Sequence, residues 1–251
     1  MKIRWIGQSG YIVKSAETEI IIDPYLSDVV NRVAGRKREV KAPVNPKTIT
    51  ADAVICTHDH LDHLDPDAIS EMDPNLRFIT TAQGREKLRS LSRNNVTVLR
   101  EGESVLVGDI RVTAVYAKHT VEAIGIILKA EDKVLYFSGD TLFDEKLFDI
   151  VSYKPDITFI CINGKLGNMN VNEAVITAKW IGAAVNIPNH YGMFKSNTED
   201  PEKFTSAISN GFITQFDKEY DVNDIIRSIK VKPIKQTDAA YSRKNDYTIR
   251  V

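Results

Sequence analysis

The 251-residue chain has a mass of 28.2 kDa, is 43% hydrophobic, and carries a formal net charge of -1 from 33 basic and 34 acidic residues. It is long for one domain and short for two, so one domain over residues 1–251 with a sizeable core is expected. A near-neutral chain offers no global field for nucleic acid or an anionic membrane, and no apolar run approaches the roughly 18 residues of a membrane span; a soluble cytoplasmic protein is expected.

From the N-terminus, "KIRWI", "GYIVKS" and "EIIID" are of strand length, are bounded by turn residues, and read as a meander. "DAVICT" is a further strand, followed by a His-rich loop and a helix opening at "DPDAISEM". Strands are then expected at "RFITT", "NVTVL", "SVLVG", "IRVTAVY", "AIGIILK", "KVLYFSG" and "DITFICI". Many are nearly continuous apolar runs, which implies sheets covered on both faces. Cys56 and Cys161 lie inside such runs and serve as small hydrophobes rather than as a disulfide. "QGREKLRSL" fits a helix, as does "NVNEAVITAKWIG", where Val171, Ala174, Val175, Ala178 and Ile181 share one face and Gly182 ends the turn. "AAVNIP" is a strand leading to His190. From about residue 220 the chain is charged and weakly periodic, and no element is assigned.

The loop "THDHLDH" holds His58, His60 and His63, three of the chain's five histidines, together with Asp59 and Asp62. The other two, His119 and His190, each come after a strand, as does Asp140 after "KVLYFSG". One histidine capping a loop is ordinary, but five in matching topological positions point to a shared ligand. Imidazoles and carboxylates suit Zn²⁺, Mn²⁺ or Fe²⁺, and seven such side chains, His58, His60, Asp62, His63, His119, Asp140 and His190, suffice for two ions sharing one carboxylate. Two divalent ions would supply hydroxide at neutral pH, and Asp62 is a candidate for handling the proton.

"THDHLDH", with "IIIDP", "AKHT", "FSGDT" and "IPNHY" in the same order, resembles the metallo-β-lactamase superfamily. The resemblance spans Asp23 to His190. It implies an αββα sandwich of the α/β class with metals held along one edge. His58, His60 and His119 would bind one ion, Asp62, His63 and His190 the other, and Asp140 would bridge them, with Asp23 in a supporting role. "GQSGYIV", "KHTVEAIGIIL" and the pairing of "NGKLGNMN" with "IPNHYGMF" are similar to bacterial L-ascorbate-6-phosphate lactonases, which implies lactone opening and manganese. The chain is shorter than that lactonase pattern implies, so a peripheral segment shaping the pocket is expected to be missing.

Substrate contacts are expected from Gln8 in the first turn, Asn163 and Asn168 in "NGKLGNMN", and Tyr191 and Lys195 after His190. The basic run at residues 32–41 adds Arg36, Lys37 and Arg38 as a phosphate-recognising loop. The expected function is a metal-dependent, lactonase-like hydrolase acting on a small, polar substrate, with a phosphorylated one compatible; a homo-oligomer is also compatible with the sequence. A phosphodiesterase or nuclease would need a basic groove that the sequence does not offer. A noncatalytic metal or metabolite sensor would not need the complete ligand set. An oxygen-reducing di-iron relative would carry His-x-Glu where His60 stands.

Overall fold

The computed structural model describes residues 1–230; the expected domain over 1–251 extends past them. The strands are β1 (Lys2–Gly7), β2 (Gly10–Lys14), β3 (Glu19–Ile22), β4 (Ala53–Cys56), β5 (Phe78–Thr80), β6 (Val96–Val98), β7 (Ser104–Val107), β8 (Ile110–Tyr116), β9 (Ile124–Ala130), β10 (Lys133–Phe137), β11 (Ile157–Cys161), β12 (Val185–Asn189) and β13 (Glu219–Asp221). The helices are α1 (Val29–Ala34), α2 (Pro66–Glu71), α3 (Ala82–Ser90), α4 (Val171–Ile181), α5 (Pro201–Ser206) and α6 (Val222–Lys230), with 3₁₀ segments at Pro46–Thr48 and Glu145–Tyr153.

The strands form two sheets, one of seven in the order β13-β1-β2-β3-β4-β5-β6 and one of six in the order β12-β11-β10-β9-β8-β7. β1 to β3 form the expected antiparallel meander, and β3 to β6 continue in parallel. Period-two alternation distributes each strand between two layers. Ile20, Ile22, Ala53 and Ile55 join the central core with Ile126, Leu128, Phe137 and Phe159 of the other sheet. Ile21, Val54 and Cys56 instead face Leu64, Ala68, Ile69 and Leu88, on and around α2 and α3. On the second sheet Ile127 and Tyr136 face outward against Ile150 and Ile181. The result is the αββα sandwich. Tyr11 packs against Phe137 and Phe159, whose rings stack on each other at 4.1 Å, which ties the sheets together. Each fully buried aromatic or branched aliphatic side chain contributes about 1.5–3 kcal/mol.

α4 has the expected form: Asn170 and Glu173 make a reciprocal capping box, and Gly182 ends the helix at φ 70°. Several elements were not expected. α1 buries only Val29 and Val30, too few to show a period. Glu145–Tyr153 buries Leu147 and Ile150, three residues apart as a 3₁₀ turn requires. Beyond residue 220, α6 seats Val222, Ile225 and Ile226 against the central core, a helical spacing within a charged segment. Cys56 and Cys161 are free and buried. Among the described residues no helix is long and apolar enough to cross a membrane.

Candidate metal centre

Because β1, β3, β4, β8, β10 and β12 end along the same edge of the sandwich, the loops after them bring together Gln8, Asp23, His58–His63, His119, Asp140 and His190. Three overlapping groups have potential donor atoms within 4.8 Å of one another: His58, His60 and His119; His58, His63 and Asp140; Asp62, His63 and His190.

Hydrogen bonds orient the rings. Asp23, at φ 44°, accepts from the Thr57 amide at 2.7 Å and the Thr57 hydroxyl at 2.8 Å, and its Oδ2 lies 2.8 Å from His63 Nδ1. His63 therefore presents Nε2 inward. The Thr57 hydroxyl donates to Asp23, so it can accept from His58 Nδ1 at 3.1 Å, leaving the His58 Nε2 lone pair free. His119 Nδ1 lies 3.0 Å from the Gly167 carbonyl, which likewise frees its Nε2. His58 Nε2 and His119 Nε2 then meet His60 Nδ1 at 3.1 and 3.2 Å. Carboxylate- or carbonyl-backed imidazoles with converging lone pairs are what a metal site requires.

Asp140 joins the groups. Its Oδ1 is 3.2 Å from both His63 Nε2 and His190 Nε2, while Oδ2 is 3.8 Å from His119 Nε2. His63 Nε2 and Asp140 Oδ1 are buried without a well-formed hydrogen bond. Orphaned buried polar atoms are costly, and a cation between them would satisfy both, so the residues fit the divalent metal implied by the fold.

Electrostatics follow from this packing. Burial, reinforced by His63, pushes His58 well below the ordinary imidazole value, and burial beside His119 lowers His60. Burial also opposes a charged His190, but Asp140 and Asp62 overcome it and raise His190 to about 9. His63 is raised for the same reason by Asp140, Asp23 and Asp62. Against their own desolvation, Asp62 and Asp140 are held well below the carboxylate range by His63 and His190. Without metal, the carboxylates therefore favour the protonated forms of His63 and His190.

A cleft of about 490 Å³ opens over this edge. His60, Asp62 and Asp140 lie at its base, and Val30, Ala34, Leu61, Leu166 and Phe194 supply much of its walls. Arg36 lines it; Lys37 and Lys195 are exposed and are not among its lining residues. Arg38 corrects the expectation of a three-residue phosphate loop. Its guanidinium donates to the carbonyls of Val40 and Ser27, both at 2.7 Å, and lies 4.9 Å over the Tyr25 ring, so it braces its own loop. Tyr191 is buried against Trp5 at 4.8 Å. Gln8 Nε2 donates to Asp62 Oδ2 at 2.8 Å, Asn168 Nδ2 to Asp140 Oδ2 at 2.9 Å, and Asn163 Nδ2 to Asn197 Oδ1 at 2.7 Å. These side chains hold the carboxylates and the cleft wall. Thr57, Asn197 and the Gly167 carbonyl were missed; only Thr57, adjoining the histidine cluster, carried a signal in the sequence.

Residues 18–191 match the family described as "Beta-lactamase superfamily domain". A UPF0173 metal-dependent hydrolase of Methanobrevibacter smithii is 30% identical over 241 residues, covering 88% of this chain and 92% of that relative. Another, from Oenococcus oeni, is 28% identical over 240 residues, covering 88% of this chain and all of the relative. The chain belongs to the metallo-β-lactamase superfamily, among the UPF0173 metal-dependent hydrolases. Two solved structures share its fold. An isothiocyanate hydrolase from Delia radicum gut bacteria has a TM-score of 0.75 at 20% identity, covering 88% of this chain and 98% of that one. A metallo hydrolase from Ignicoccus hospitalis has a TM-score of 0.73 at 21% identity, with the same coverages.

Proposed function

We propose that the protein is a dinuclear hydrolase that opens small lactones. His58, His60 and His119 would hold one ion, Asp62, His63 and His190 the other, and Asp140 would bridge them. The observation that carries this reading is Asp140, whose two oxygens face different imidazole groups while Oδ1 lacks a well-formed hydrogen bond. Two Mn²⁺ or Zn²⁺ ions, or Fe²⁺, would supply a nucleophilic hydroxide at neutral pH and polarise the scissile carbonyl.

The chain's own groups do the rest. Asp23 and the Gly167 carbonyl keep His63 and His119 in one tautomer, so neither ring has to reorient. Asp62 lines the cleft and its side chain is 17% exposed, against 6% for Asp140, so it is the carboxylate that reaches the reacting atoms. Gln8 occupies Asp62 Oδ2, leaving Oδ1 to take the proton of the attacking water and return it to the ring oxygen as the carbon–oxygen bond breaks. The product is a hydroxy-carboxylate.

The apolar walls and Arg36 favour a neutral or singly anionic carbon electrophile over a phosphodiester chain, which needs a basic track. The resemblance to L-ascorbate-6-phosphate lactonases supports the same choice. Manganese- and zinc-loaded protein is expected to turn over a lactone, phosphorylated or plain, faster than any phosphodiester in a parallel screen. Faster phosphodiester cleavage would overturn the reading.

The raised imidazoles give a pH dependence. His190 and His63 must each lose a proton before binding a cation, so apparent metal affinity should climb as pH rises from 6 toward about 9. The slope should be roughly tenfold per pH unit for each proton displaced. In chelator-treated protein the His190 proton stabilises the fold below the ordinary imidazole value of 6.5 and ceases to do so as pH passes about 9, and the raised His63 contributes in the same direction. Melting temperature after chelation should therefore fall between pH 6.5 and 9.5. Competition titrations with a chromogenic chelator check the first effect; pH-independent affinity would show that no proton is displaced.

A further inference from the structure

Leu166 occupies an unusual position on the cleft wall. It is 54% exposed and holds a left-handed φ of 54°, between Gly164 at 64° and Gly167 at 94°. The neighbouring glycines adopt that conformation freely, whereas a leucine there is strained. The loop is well anchored. The Gly164 amide donates to the Met169 carbonyl at 2.9 Å, the Met169 amide to the Thr141 carbonyl at 2.8 Å, and the Asn163 amide group to Asn197 at 2.7 Å. Leu166 also belongs to none of the apolar clusters found among the described residues. Neither backbone preference nor packing selects leucine here. What it does is face the cleft, in company with Val30, Ala34, Leu61 and Phe194.

We propose that Leu166 and these four residues form a clamp for a hydrocarbon substituent, so that the substrate is an amphiphile: a hydrolysable head at the carboxylates and an unbranched or lightly branched alkyl portion on the wall. The choice of a lactone head rests on the function proposed above; the clamp does not. Val30 and Phe194 are themselves backed by Tyr25, Val29 and Met193, so one jaw is part of a packed cluster, while Leu166 is the exposed jaw. Burying hydrocarbon between them removes apolar surface of both ligand and leucine from water. A strained residue retained at a binding cleft is a common arrangement where the residue serves a ligand.

The test uses straight-chain carboxylates from acetate to octanoate, titrated calorimetrically into manganese-loaded full-length protein, because all share one head and differ only in tail. Affinity for wild type should rise with chain length, by up to about fourfold per methylene until the wall is covered. Leu166→Asn should weaken octanoate several-fold and acetate not at all. Its melting temperature should match or exceed that of wild type, since asparagine tolerates the left-handed conformation. Chain-length-independent affinity in wild type, or equal losses for acetate and octanoate in the variant, would overturn the clamp. So would a lower melting temperature in the variant with both ligands weakened. If no lactone is turned over yet the length series and its loss in the variant persist, the lactone reading fails and the clamp stands.

Discussion

Replacing Asp140 by asparagine is expected to lower kcat on the order of 10³-fold while leaving the far-ultraviolet circular dichroism unchanged. The amide is nearly isosteric and can still accept the 2.9 Å hydrogen bond from Asn168 through its one remaining oxygen. The other position becomes an NH₂ group, 3.2 Å from His63 Nε2 and His190 Nε2, where an oxygen anion now stands. The loss of a full charge there leaves two cations with nothing negative between them, and they repel. Folding is spared because a buried carboxylate carries a large desolvation cost that the amide lacks, and because His63 keeps Asp23 at 2.8 Å. Steady-state kinetics and metal analysis of the same sample check this together. Wild-type turnover with two ions per chain would rule out the bridging role.

The second large effect concerns stoichiometry. His60→Ala and His190→Ala each remove one donor nitrogen from a different group, so each variant should lose about one ion per chain after dialysis, and the double variant most of both. The two positions differ in structural cost. His60 is partly exposed at the mouth of the site, and its removal leaves no sealed cavity. His190 is 1% exposed and sits at a left-handed φ of 61°, so truncation there both empties space and leaves alanine in an unfavourable conformation. His190→Asn, which tolerates that backbone, separates metal loss from misfolding. Plasma mass spectrometry of all four proteins provides the readout. Undiminished metal content in the double variant would remove the assignment.

Most of the architecture could be read from the chain because the strands are short, apolar and bounded by turns, and alternation such as Ile20, Ile21, Ile22 divides between two layers. Helical spacing and terminal Gly182 made α4 equally plain. Two short elements were not legible: α1, which buries only Val29 and Val30, and the 3₁₀ segment, which buries Leu147 and Ile150; α2, with as few buried residues, announces itself through Asp65 and Pro66 at its start. Histidines placed just after strands announce their own convergence, since parallel strands deliver their ends to one edge. The role of a basic or amide-rich loop is set instead by partners distant in sequence. Arg38 turns back onto the carbonyls of Ser27 and Tyr25, outside the basic run, and Asn168 finds Asp140 rather than open solvent. Neither set of partners is written into the local run. The apolar jaw at Leu166 was invisible for the opposite reason: a lone leucine among asparagines and glycines looks like a turn residue until the opposite wall is known.

The separation between strand ends and cleft walls has an evolutionary meaning. His58, His60, His63, Asp140 and His190 are presented just past the ends of β4, β10 and β12. Val30, Ala34, Arg36 and Leu166 come from α1 and from loops that carry none of the metal-group side chains; Phe194 shares a loop with His190, and Leu61 lies between His60 and Asp62. A lineage can therefore exchange its wall residues one at a time, sampling new shapes and charges, without rebuilding the reactive centre at each step. Diversification would proceed by swapping the upholstery of a fixed frame, and a chimaera that transplants only residues 24–44 and 164–167 between relatives should inherit the donor's preference while keeping the recipient's reaction.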